Sequence, residues 1–186
     1  MIMQVKQLLR ASSIAWSFAI ALCGSVPAFA QGAKALSPDL QRTRDALEKY
    51  KDPVMAIHDG YFSTLGCVTY PKPGAPGQVP YAAGGMGVHF LNVGLLGKPL
   101  DPLKPQILVY EPVGDRLQLV AAEWFVPLSP DVKERPQLFG KPFDGPMEGH
   151  HPLMPHALHH YDLHVWLWKD NPAGLFAPTN PGVKPK

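Results

Sequence analysis

His160-Tyr161-Asp162-Leu163-His164-Val165-Trp166-Leu167-Trp168 alternates without a break. In an extended strand successive side chains point to opposite faces. One face of this segment is then Tyr161, Leu163, Val165 and Leu167, all suited to a core. The other is His160, Asp162, His164, Trp166 and Trp168, polar at one end and aromatic at the other, as the wall of a lined cavity would be. The stretch belongs to a longer one, Met147 to Pro172, which holds six of the eight histidines. The functional centre is expected here.

Working upstream, Leu117-Gln118-Leu119-Val120-Ala121-Ala122-Glu123-Trp124-Phe125-Val126 follows Ile107-Leu108-Val109-Tyr110-Glu111-Pro112 after a short turn through Gly114 and Asp115, the pattern of a hairpin. Glu123 shares a face with Leu119, Ala121 and Phe125. A carboxylate there is costly unless paired, protonated or bound to a metal. Before the hairpin, a Gly84-Gly85-Met86-Gly87 turn leads into Val88-His89-Phe90-Leu91-Asn92-Val93, where His89 looks inward with Leu91 and Val93, and the glycines would let backbone or a ligand come close. Leu65 to Tyr70 reads as another short strand. Ser37-Pro38-Asp39 is a helix start, with Ser as N-cap and Pro at the first helical position. Asp52-Pro53 restarts the helix, and Gly60 ends it.

The chain has 186 residues, 22 of them proline, more than twice the usual share of about 5%. Spread between short apolar runs, the prolines exclude long helices after residue 60 and favour short strands joined by stiff loops. The fold class expected is α+β, with four or five antiparallel strands: a small antiparallel β-barrel or strongly curved sheet, with a helical arm at 37–60, a β-rich body at 61–170 and a coil tail at 171–186.

Residues 1–30 read as a signal peptide: Lys6 and Arg10, a mostly apolar run from Ile14 to Val26, then Ala28-Phe29-Ala30 before Gln31. The protein is therefore expected in the periplasm or outside the cell, with residues 31–186 as one domain and no membrane attachment after cleavage. That cleavage takes two basic residues and no acidic one, so 17 basic and 15 acidic residues become an even balance. No basic run remains, which argues against nucleic acid as a partner. Cys67 is then the one cysteine of the mature chain, so no internal disulfide forms.

Met86-Gly87-Val88-His89-Phe90, Tyr110-Glu111-Pro112, Phe143-Asp144-Gly145-Pro146, His160 to Trp168 and the tail Asn171-Pro172-Ala173-Gly174-Leu175-Phe176 together resemble a family of uncharacterised exported bacterial proteins. The resemblance spans most of the mature chain. It implies a single exported domain and carries no mechanism.

The chemistry must come from the residues. Imidazole and carboxylate are ligands for zinc, copper and iron. Residues four apart on a strand are about 13 Å apart, too far to share an ion held at about 2 Å, so His160 and His164 are not expected to ligate together on a straight strand. The preferred set takes one ligand from each of three strands, His89, Glu123 and His164, with His160 as a substitute or fourth. Asp162 is a ligand or an acceptor that orients an imidazole. Against this stands a plain structural reading: hydrogen-bonded core histidines, with Glu123 paired to an Arg or Tyr. Two other functions remain open. One is a non-catalytic cavity lined by Trp166, Trp168 and His side chains, holding a small apolar or aromatic molecule. The other is a copper-handling loop built from Met147, His150, His151, Met154, His156 and His159, since thioether and imidazole suit copper.

Overall fold

The computed structural model describes residues 35–70, 72–74, 76–150 and 154–184; the expected signal segment lies outside them. The chain enters through helix α1 (Pro38–Leu47), capped by the Ser37 hydroxyl, which accepts from the Leu40 amide. A 3-10 turn over Glu48–Lys51 follows. The Asp52 carboxylate, accepting from the Val54 amide, then starts α2 (Pro53–His58). Gly60, at φ +90°, takes the left-handed position just past that helix, where a Cβ would be strained.

The body is antiparallel: β1 (Phe62–Tyr70), β2 (Gly84–Leu91), β3 (Ile107–Val113), β4 (Arg116–Pro127), β5 (Gln137–Leu138), β6 (Lys141–Pro142), β7 (Asp144–Met147) and β8 (His160–Val165). Six strands form one sheet in the order β1-β2-β3-β4-β8-β7, and β5 pairs with β6 separately. The sheet has β1 and β7 as its two edges, so the barrel alternative is not formed among the described residues; an antiparallel sheet with an N-terminal helical arm is. The terminal strands are poorly shaped for closure. β7 has only four residues, includes Pro146, which cannot donate to a ladder, and shifts register between Asp144 and Met147. β1 is irregular too, with register shifts at two places.

One face of the sheet carries Phe90, Leu108, Tyr110, Ala122, Trp124, Leu163 and Val165, and the helical arm covers it with Leu40, Leu47, Tyr50, Ala56 and Tyr61. The Tyr110 hydroxyl donates to the Tyr50 carbonyl and the Tyr61 hydroxyl to the Pro105 carbonyl, so the polar ends of these rings are satisfied. The opposite face holds Ile107, Val109, Ala121, Phe125 and Trp166, with Val183 of the C-terminal tail against them. A backbone bridge between Gly85 and Asn180 ties that tail to β2. Among the described residues no helix is long and apolar enough to cross a membrane.

Two sequence expectations are corrected. Gly84 to Gly87 is strand, not a lead-in turn. Its glycines are needed because backbone and side chains crowd them: a Cβ on Gly87, at φ +104°, would lie 2.7 Å from the Tyr110 carbonyl oxygen. The sheet also has six strands where four or five were expected, because β7 is too short and glycine- and proline-rich to read as one.

Candidate metal centre

The register decides which side chains meet. In β4 and β8, Glu123 stands directly opposite His164, and Phe125 opposite Asp162. In β2 and β3, His89 stands opposite Val109, while Ile107 pairs with Glu123. Cross-strand partners project to the same side, so His89, Glu123, His164, Asp162 and His160 all leave the sheet on the face opposite the helices. Between the β2 and β4 ligand positions lies β3, which presents Val109 and Ile107 there. The gap is closed by the long imidazole of His89, reaching across toward Glu123.

His89 Nε2 and His164 Nε2 each lie 3.2 Å from the same oxygen, Glu123 Oε2. The two rings are perpendicular, their centroids 6.2 Å apart. All three side chains are buried, His89 at 4% exposure, Glu123 at 1% and His164 at 0%. The distances reach the outer limit of a hydrogen bond, but the angles do not make one: Glu123 Oε2 and both nitrogens of His164 have no hydrogen-bond partner. Three ligand atoms, one from each residue, all lie within 4.8 Å of one another. Ligand atoms held at about 2.1 Å around a tetrahedral ion are about 3.4 Å apart. The arrangement therefore has the dimensions of a shared cation, and buried polar atoms left without partners are otherwise costly.

The charges agree with the geometry. Burial alone would raise the Glu123 carboxyl, but His164 and His89 outweigh it and hold it well below the usual carboxylate range. Burial likewise pulls His164 down, yet the charge and contact of Glu123, with Asp162 and Asp144 behind it, push it up to about 9. Without a metal, this cluster keeps a proton that free histidine would have lost.

A second cluster adjoins the first. Asp162 Oδ2 is 3.5 Å from His160 Nε2 and 3.7 Å from His150 Nε2, while its Oδ1 is 3.9 Å from His164 Nδ1. His150, His160 and Asp162 are buried, and their ligand atoms also fall within 4.8 Å of one another. Burial raises the Asp162 carboxyl, but contact with His150 and His160 and the charge of His164 outweigh that and lower it. The His160 ring stacks on Phe125 with centroids 4.6 Å apart, and His150 Nδ1 is 2.8 Å from the Tyr70 hydroxyl.

The structure thus brings together His89, Glu123 and His164, and places His160 in the neighbouring cluster rather than as their fourth member. Asp162 stands between the two. Trp166 and Trp168, expected on one cavity wall, are separated. Trp166 packs on the histidine side of the sheet and its indole N–H donates to the Ala177 carbonyl. The chain leaves the strand after Val165, so alternation fails at Trp168, whose indole N–H donates to Glu48 beside the helical arm. A cleft of about 410 Å³ there is bordered by Trp168, Arg44, Lys51 and Arg116, with no histidine among the described residues that line it. Among the described residues the Met/His loop does not gather. Met147 is buried at the end of β7 and His150 sits in the second cluster. Met154 packs beside the Trp166 group. His156 lies near Glu148, His159 near the Ala157 carbonyl, and both are exposed; His151 lies outside the described residues. His150 is the member that sequence reasoning misplaced. Its neighbours in the chain are irregular, and what seats it, Tyr70, is 80 residues away.

No protein-family model, curated protein or solved structure matches this chain.

Proposed function

We propose that this is an exported protein whose β-rich domain holds one transition-metal ion between His89, Glu123 and His164. One observation carries the reading: three buried side chains from three strands bring ligand atoms within 4.8 Å of one another, and among them Glu123 Oε2 and His164 Nε2 have no hydrogen-bond partner. Two imidazoles and one carboxylate form a donor set used for zinc and for iron(II). Asp162 Oδ1 lies 3.9 Å from His164 Nδ1, too long for a hydrogen bond, so it acts on that ring through its nearby negative charge. Three protein ligands leave a position for water or a small substrate, which is what a metal-dependent enzyme needs. The export reading rests on residues 1–30 of the sequence.

The test is metal content. The mature protein, exported and purified without a His tag, is compared with Glu123→Gln and His164→Ala by elemental analysis after incubation with zinc, copper and iron(II). A near-stoichiometric ion at this site, lost from both variants while circular dichroism stays native, is the expected result. A wild-type protein that stays folded and takes up no metal overturns the proposal.

A further inference from the structure

The second cluster obeys the same logic on different residues. His150 and His160 stand 3.7 and 3.5 Å from Asp162 Oδ2. An N–H···O hydrogen bond spans 2.7–3.2 Å, so these contacts are too long to be one. Around a shared ion, ligand atoms about 3.4 Å apart are expected. His150 Nε2, both nitrogens of His160 and both oxygens of Asp162 have no hydrogen-bond partner, and the three side chains are 3%, 0% and 0% exposed. Five polar atoms buried together and unpaired would be hard to retain in a folded core for packing alone.

We propose that His150, His160 and Asp162 form a second site for a divalent transition-metal cation, so that the domain binds two ions. Each residue is positioned for it. His160 comes from β8 and is held flat against Phe125. Asp162 follows two residues later on the same face. Phe125 is its direct partner on β4. His150 comes from the segment after β7. When its Nδ1 proton is donated to the Tyr70 hydroxyl, Nε2 is left free to ligate. Tyr70 is thus a positioning residue, not a ligand. It also borders a cleft of about 350 Å³ with Gly84, Gly85 and Val183, which brings solvent to within one side chain of His150. Asp162 makes the two sites neighbours, because one oxygen faces the second cluster and the other faces His164. The second site does not rest on the first, since its ligands are different residues.

Zinc or cobalt(II) titration of tag-free mature protein, followed by calorimetry and elemental analysis, gives the number of ions. Two ions are expected in wild type. His150→Ala and His160→Ala should each bind one, and Glu123→Gln should also bind one, the other ion. His150→Ala guards against misfolding, because the residue lies outside the sheet. Tyr70→Phe should keep both sites but weaken one by about 10-fold, within the 10- to 100-fold range typical of residues that orient a ligand. One ion in wild type, unchanged in His150→Ala and His160→Ala, overturns the second site and leaves the first standing. One ion in wild type that is lost from His150→Ala and kept by Glu123→Gln overturns the first site and the two-ion count. Two ions that survive both histidine substitutions also refute the proposal.

Discussion

Raising the pH should destabilise the metal-free protein between about 6.5 and 9. His164 has an ordinary value of 6.5 and is pushed up to about 9 in the fold, so within that window the folded state holds a proton that the unfolded chain has released. A basic group raised on folding contributes stability that is fully present below its unfolded value and is lost as pH rises through the folded one. The slope is about 1.4 kcal/mol per pH unit, and the whole loss is about 3 kcal/mol. With a urea dependence of roughly 2 kcal/mol per molar, the unfolding midpoint should fall by about 1.5 M. The assay is urea denaturation of chelator-stripped protein, followed by tryptophan fluorescence. It stops at pH 9, because burial pushes the Cys67 thiol above its usual value of 9.0 and its own loss comes later. In Glu123→Gln the negative charge that raises His164 is gone and burial dominates, so the downward slope should vanish or reverse. Metal reverses it too, since an ion takes the place of the proton and binds more tightly as the imidazoles are freed. A stripped wild-type protein whose midpoint is level or rises from pH 6.5 to 9 would refute the electrostatic account of the cluster. So would a Glu123→Gln variant with the same slope as wild type.

Two substitutions probe how the fold sets the site. Gly87→Ala puts a Cβ at φ +104° and 2.7 Å from the Tyr110 carbonyl oxygen, which should cost about 3 kcal/mol or more in strain and overlap; melting should fall by about 10 °C, and metal affinity should drop because His89 is two residues along the same strand. Trp168→Phe removes the indole donor to Glu48 and should cost about 1 kcal/mol in urea denaturation, with metal uptake unchanged.

Much of the site's placement was legible because it depends on local alternation. The β3–β4 hairpin puts Glu123 on an apolar face, β8 puts His164 on the face of Asp162, and the strand after Gly87 turns His89 inward. Once the strands pair in order, those three positions come together with no further information. The helical arm was equally readable, since Ser37 and Asp52 each cap a helix that begins with proline. What escaped depends on contacts far apart in the chain. His150 is seated by Tyr70, and Trp168 is drawn to the helical arm by Glu48, 120 residues away. Neither has a periodic signature. The glycines of β2 read as a turn by composition, yet they lie within the strand; the close approach expected of them is present, with Tyr110 against Gly87 and the backbone of Asn180 2.8 Å from where a Cβ on Gly84 would stand. Whether the sheet closed was likewise set by the register shifts of β1 and the brevity of β7, not by hydrophobic pattern.

The central claim is that imidazole and carboxylate from the strands, and not sulfur from the Met/His loop, hold the ion. X-ray absorption at the metal edge of the loaded protein reads those ligands directly. The account predicts a nitrogen and oxygen shell at about 2.0–2.1 Å with the outer-shell scattering of imidazole rings and no sulfur. A shell at about 2.3 Å with a sulfur scatterer, or one of oxygen alone without imidazole, would contradict it.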